Sequence, residues 1–160
     1  MKAATASFSL VTVWELEAAL ERVWEAIYRA EDWPRWWPYV ERVVKLQEGD
    51  GNGVGAVRRL TWRTRLPYRI TFETRATHVE KPFRLEGEAM GELAGTGRWT
   101  LSHSGTVTTV RYDWNVRATK PWMARLAPLA RPIFEWNHNG VMRAGGEGLA
   151  RHLGVRLLQA

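Results

Sequence analysis

Apolar and polar positions alternate from Ala6 to Leu16, placing Phe8, Leu10, Thr12, Trp14 and Leu16 on one side. A period of two predicts a strand with one covered face. Over Ala18 to Arg29 the period lengthens, with Leu20, Val23, Trp24 and Ile27 at i, i+3, i+4 and i+7. That spacing predicts an amphipathic helix of about three turns. It should end near Glu31-Asp32, because the residue before Pro34 avoids the α region. The run Trp33-Pro34-Arg35-Trp36-Trp37-Pro38 is too aromatic for a free loop and reads as a short packed turn of helix.

Six more alternating segments follow: Val40 to Glu48, Val54 to Arg65, Tyr68 to Glu80, Phe83 to Gly91, Gly95 to His103 and Thr106 to Thr119. Glycine-rich or Pro-containing turns separate several of them, among them Gly49-Asp50-Gly51-Asn52-Gly53, Leu66-Pro67 and Ser104-Gly105. Such short connections predict an antiparallel meander rather than βαβ crossovers. From Pro121 onward the pattern is helical, with proline at a first-turn position. Trp122, Leu126, Leu129, Ile133 and Val141 trace an apolar stripe. Pro128 and Pro132 should kink or split this helix. Gly145, Gly146 and Gly148 should loosen its far end, and Gly154 should stop it. The expected class is α+β, with helices on one face of an antiparallel sheet.

Alternation also sorts the sheet by face. Leu60, Trp62, Tyr68, Phe72, Trp99, Tyr112 and Trp114 share one side with Trp14, toward whatever the last helix covers. The other side carries Arg59, Glu73, Arg84, Glu86, Arg98, Arg111 and Asp113, charges of both signs that suit cross-strand pairing. In the fifth strand Gly87, Ala89 and Gly91 fall in phase with Phe83 and Leu85. Small residues opposite large amphipathic rings imply unfilled space.

Composition narrows the class. The 160 residues suit one domain. Without cysteine there is no disulfide framework and no thiolate metal or redox site. With 45% hydrophobic and 25% charged residues the chain is not of a disordered type. The longest uncharged run, Ala3 to Trp14, is too short to span a bilayer. No secretory signal pattern is present, so a cytoplasmic location is expected. Ten tryptophans exceed what packing a core of this size requires. The net charge of +6 raises nucleic acid or an anionic surface as partners. Nucleic acid is not expected, because stacking platforms belong on the basic face and the aromatics lie on the other. Weak contact with anionic surfaces stays open.

The organisation resembles the START-like (SRPBCC) superfamily with its helix-grip fold, in a polyketide cyclase/dehydrase-like branch. The resemblance rests on Ala18 to Trp24 running into Trp33-Pro34-Arg35-Trp36-Trp37-Pro38, on the strand series, and on Lys120-Pro121-Trp122 through Pro132 to Met142 as the gripping helix. It implies a single START-like domain over 1–160, with a seven-stranded curved antiparallel sheet wrapped around the long C-terminal helix and two short helices between strands 1 and 2. It also implies a deep apolar cavity between sheet and helix. Members of the superfamily share no universal catalytic residue, so none is carried over.

On the pattern and the resemblance together, the expected ligand-binding residues are Trp62, Tyr68, Phe72, Trp99, Tyr112 and Trp114 of the sheet, with Ile133, Asn137 and Val141 of the helix. Asn137 is polar on a face expected to be buried, so it needs a partner: a sheet Tyr or Trp, or a ligand carbonyl. Asn137 and His138 are the candidates for moving protons. Arg58, in phase with Leu60 and Trp62, belongs either at the cavity rim or against an anionic ligand group. His78 and His103 fall near strand ends and read as rim residues. The four histidines show no metal-ligand spacing, and neither a metal nor a cofactor is expected. Gly51-Asn52-Gly53 precedes a strand rather than a helix, so it offers no phosphate cradle. The expected function is binding of an apolar small molecule, lipid-like or aromatic. The alternative is a cyclase or aromatase using the cavity as a template.

Overall fold

The computed structural model describes residues 7–160; Ala6, at the start of the first expected strand, lies outside them. Strand β1 (Ser7–Leu16) is followed by α1 (Leu20–Tyr28), a single 3-10 turn (Ala30–Asp32) and α2 (Trp33–Trp36). A meander follows: β2 (Val40–Gln47), β3 (Val57–Arg63), β4 (Arg69–Glu80), β5 (Arg84–Gly91), β6 (Leu93–Ser104) and β7 (Val107–Ala118). Helix α3 (Pro121–Leu153) and β8 (Leu157–Gln159) complete the chain. The antiparallel sheet runs β2-β3-β4-β5-β6-β7-β1-β8, so β1 closes the meander by pairing with β7. The α+β class and the helix-grip arrangement are as expected.

Among the described residues the strand count is eight, not seven. After Gly154 ends α3 in the left-handed conformation (φ 67°), the chain turns back and Leu157–Gln159 pairs with the end of β1. Three residues are too few for alternation to reveal. Strand β3 also starts later than Val54, because Gly53 and Gly55, at φ near 90°, turn the chain there. Register shifts in the β2–β3 and β4–β5 pairings bend the sheet, as bulges do.

Helix α3 departs from expectation in three ways. It is continuous through Pro128 and Pro132. Both prolines are exposed, on a side where water can replace the missing donors. Its stripe is inverted: Trp122, Leu126, Leu129 and Ile133 are about half or more exposed, whereas Met123, Asn137, Val141 and Met142 are buried. The first half of α3 carries two apolar faces, and the outer one holds the fuller stripe. Finally, Gly145, Gly146 and Gly148 are seats rather than loosening points. A Cβ at Gly145 would strike the Trp37 ring, one at Gly146 would lie 2.9 Å from Trp14 Cδ1, and one at Gly148 would overlap the Trp36 carbonyl oxygen.

Those seats explain much of the tryptophan excess. The Trp37 indole N–H donates to the Val141 carbonyl at 2.8 Å and that of Trp14 to the Met142 carbonyl at 3.1 Å, just where the glycines admit the rings. Trp37 meets Trp14 at 5.5 Å, Trp33 at 5.3 Å and Trp62 at 5.1 Å between ring centroids. Buried Trp N–H groups require acceptors, and helix carbonyls bared by glycine supply them. One end of the core is thus an interlocked tryptophan cluster that clamps α3 to the sheet.

Candidate functional site

Beyond that cluster the interior is not filled. A cavity of about 220 Å³ lies between the concave sheet face and α3, with an overwhelmingly apolar wall. It exceeds the roughly 150 Å³ that holds benzene in an engineered apolar cavity. The sheet contributes Trp62, Tyr68, Phe72, Trp99, Tyr112 and Trp114 to the lining. Asn137, His138 and Val141 reach it from α3. Ile133 does not: it is half exposed, about 40° round the helix from Asn137 on the side that faces solvent. Sequence reasoning missed Met123 and Phe134, which do line the cavity. Phasing the helix on Val141 would have found them, since Met123 lies about five full turns from it and Phe134 about 20° away. Phe8 and Leu10 also line it and were legible from their alternation with Trp14.

The rings define the cavity's shape. Trp99 stacks on Tyr112 at 4.2 Å, and Tyr112 on Trp114 at 5.7 Å, forming a continuous aromatic wall. Gly97 makes room for it, since a Cβ there would lie 2.7 Å from the Tyr112 hydroxyl. Phe72 leans on Trp114 at 5.7 Å, while Leu85, Gly87 and Ala89 of β5 leave the space in front open.

Polar groups are few. The Asn137 carboxamide oxygen accepts a hydrogen bond from the Arg65 backbone N–H at 2.9 Å. Its partner is therefore the β3–β4 connection, neither a sheet Tyr nor a sheet Trp. The hydroxyl of Tyr68, the indole nitrogen of Trp62 and both ring nitrogens of His138 are buried with no protein partner. Burial pushes the His138 imidazole down to about 4; the neighbouring Asn139 opposes this weakly, without reaching hydrogen-bond geometry. The ring is therefore neutral at physiological pH. Burial raises the Tyr112 hydroxyl far above the usual phenol range. Tyr68 is raised by burial and by the charge of Glu92. Both tyrosines remain protonated donors.

Arg58 turns inward and meets Glu31 of the 3-10 turn at 2.8 Å, so it is paired within the protein. Burial disfavours the Glu31 carboxylate. Hydrogen bonds from its own backbone and from Arg58, with the charges of Arg58 and Lys45, outweigh this and hold its pKa below the usual range. A depressed carboxyl stabilises the fold above the unfolded-state value, and that contribution disappears as pH falls through the folded one. Glu31→Gln should therefore flatten the last, most acidic part of the stability profile, below about pH 4.5. Thermal melts of both proteins from pH 5 to 3 test this; parallel curves would contradict it. His78 approaches Glu80 at 3.4 Å, and His103 is exposed.

The outer sheet face carries cross-strand pairs as expected, Arg59–Glu73 and Arg98–Glu86, and also two pairs along single strands, Arg84–Glu86 and Arg111–Asp113. Arg59 meets Glu73 at 3.0 Å, Arg84 and Arg98 both reach Glu86 at 2.6 Å, and Arg111 meets Asp113 at 3.0 Å.

The sequence profile of the family described as polyketide cyclase / dehydrase and lipid transport matches residues 7–154. The chain belongs to this family. Among curated proteins none matches it. Solved structures give the same fold for this polyketide-cyclase-like chain. A START superfamily protein from Mycobacterium smegmatis superposes with a TM-score of 0.75 at 13% identity, over 91% of this chain and 97% of that one. The Zhui aromatase/cyclase from Streptomyces sp. R1128 gives 0.72 at 17% identity, over 92% and 94%. The di-domain ARO/CYC BexL from the BE-7585A biosynthetic pathway gives 0.72 at 19% identity, over 94% of this chain but 51% of its own. The chain thus spans about half of that two-domain relative. No described helix is long and apolar enough to cross a membrane.

Proposed function

We propose that the protein, acting as one START-like domain over 1–160, binds a largely apolar small molecule bearing oxygen acceptors between its sheet and α3. One observation carries the reading. In an apolar cavity, the Trp62 N–H, the Tyr68 hydroxyl and the His138 imidazole have no protein partner. Buried polar groups are nearly always hydrogen-bonded, so these three are matched to oxygens of something that enters. The aromatic wall of Trp99, Tyr112 and Trp114 favours a flat, ring-containing ligand, and burial of its apolar area supplies most of the affinity.

Ring closure on a templated chain is the second reading, supported by the likeness to aromatase/cyclase structures. Proximity alone accelerates a cyclisation. The state of His138 favours binding over base catalysis. A base of pKa about 4 is poorly matched to proton abstraction near neutrality.

Native mass spectrometry of the purified protein, followed by thermal shift with flat aromatic ketones and fatty acids, tests the proposal. Ketones should raise Tm, and Ala89→Leu, which fills the cavity, should abolish that shift while the protein still unfolds cooperatively. Tyr68→Phe should weaken ketone binding by about five- to tenfold, the worth of one hydrogen bond. A protein that retains nothing and whose Tm no ligand moves would remove this function.

A further inference from the structure

Five of the largest exposed apolar side chains lie on one element. Trp122, Leu126, Leu129, Ile133 and Trp136 of α3 are 48%, 49%, 85%, 50% and 50% exposed. At about 100° per residue they fall within an arc of about 80°. The other exposed large apolar residues, Val11, Leu46, Phe83 and Leu158, are scattered over separate strands and loops. Lone exposed apolar residues need no explanation, but a contiguous patch does.

Arg125 flanks the stripe as an unpaired cation; Lys120 is neutralised by Glu92, Arg131 donates to the Ser7 carbonyl on the other side of the helix, and Glu135 precedes Trp136. The β3–β4 connection beside the stripe reads Arg63-Thr64-Arg65-Leu66-Pro67-Tyr68-Arg69. It is fixed to α3 by the Asn137–Arg65 hydrogen bond and by Tyr68 against Trp122 at 6.1 Å. The Arg65 guanidinium lies 3.6 Å over the Trp136 ring and caps the stripe. Among the described residues, Arg63, Arg65, Arg125 and Arg143 meet no carboxylate. Four unneutralised arginines therefore lie on the two segments that carry or flank the exposed apolar stripe, while Arg59, Arg84, Arg98 and Arg111 of the outer sheet face are paired.

We propose that this face, the first half of α3 with the β3–β4 connection, docks on an anionic lipid bilayer. Leu126, Leu129 and Ile133 enter the headgroup–acyl boundary, Trp122 and Trp136 lie at interface depth, and the arginines meet lipid phosphates and carboxylates. A second copy of this chain fits less well. It would bring two sets of unpaired arginines, Arg63, Arg65, Arg125 and Arg143, against each other. The docking does not rest on the cavity's having a ligand.

The test is co-sedimentation of the full chain with vesicles of phosphatidylcholine containing 30% phosphatidylserine, and with pure phosphatidylcholine. Expected is binding to the anionic vesicles that weakens as salt rises and is much weaker on the neutral ones. Leu129→Glu with Ile133→Glu, on exposed positions, should lower the affinity at least about tenfold. Arg125→Gln and Arg143→Gln should each cost about fivefold. Tm of every variant reports whether the fold is kept; if the Glu pair fails to fold, the Arg variants decide. Absence of binding to anionic vesicles, or equal binding by folded variants, overturns the proposal. So does sedimentation showing a dimer that the Leu129→Glu/Ile133→Glu protein cannot form, which would make the stripe an interface between copies.

Discussion

Gly148→Ala is expected to destabilise the protein by about 3 kcal/mol, near the upper end for overpacking. Helix propensity alone makes the opposite forecast, because alanine in place of a mid-helix glycine gains up to about 1 kcal/mol. The two effects differ in sign, so the variant discriminates cleanly. Position 148 faces the Trp36 backbone, and a Cβ would overlap its carbonyl oxygen. Backbone cannot rotate away as a side chain can. Relief requires α3 to lift from α2, which draws Gly145 and Gly146 off Trp37 and Trp14 and strains both indole hydrogen bonds. For a chain of this length the loss corresponds to a fall in Tm of roughly 6–12 °C. Gly51→Ala is the control, since nothing lies within 4 Å of a Cβ there. A Gly148→Ala protein as stable as its parent would mean that the close approach of α3 to α2 does not hold in solution.

The sheet was legible because one face is wet and one dry, and alternation then states which residues face inward. The placement of Trp62, Phe72, Trp99 and Trp114 on one concave face follows from that rule alone. Helix α3 was not legible in the same way. Its first half is apolar on two sides, Trp122, Leu126, Leu129 and Ile133 on one and Met123, Phe134 and Val141 on the other, and only the second faces the cavity. The outer side holds the fuller apolar stripe, so choosing the face by its number of apolar residues selects the wrong one. The glycines misled for a related reason. Flexibility and close approach have the same sequence signature, and only the Trp14, Trp36 and Trp37 contacts separate them. The Asn137–Arg65 bond lay beyond sequence because its donor is backbone.

The two halves of α3 accordingly serve different ends. From Val141 onward it is clamped by indole hydrogen bonds and glycine seats, which fix its axis against the sheet. From Pro121 to Val141 it covers the cavity through Met123, Phe134 and Asn137, without a comparable clamp. Prolines 128 and 132 remove two of the intrahelical hydrogen bonds in that same half. If a ligand binds as proposed, the less tethered half of α3 is the end that would open to admit it, leaving the tryptophan cluster closed.

The strongest pH effect should come from His138. Its folded imidazole titrates near 4, against about 6.5 in the unfolded chain, so between those values only the unfolded state binds the proton. Stability should be flat above about pH 7 and fall as pH drops through the unfolded-state value. By pH 5 the loss should reach about 2 kcal/mol, and it should level at about 3 kcal/mol only below about pH 4. The window is distinct from that of Glu31, whose depressed carboxyl acts only below about 4.5. The charged groups among the cavity-lining residues do not offset the burial of an imidazolium. Arg58 is held by Glu31, Glu86 is held by Arg84 and Arg98, and Arg75 and Glu88 carry opposite signs. His138→Phe keeps an aromatic ring at the site and removes the titration, so its stability should change little between pH 7.5 and 5. Chemical denaturation at fixed pH steps reads both proteins directly. A parent profile flat to pH 5, or a variant with the same slope, would show that His138 is open to water in solution and would withdraw it from the set of unpartnered groups awaiting a ligand.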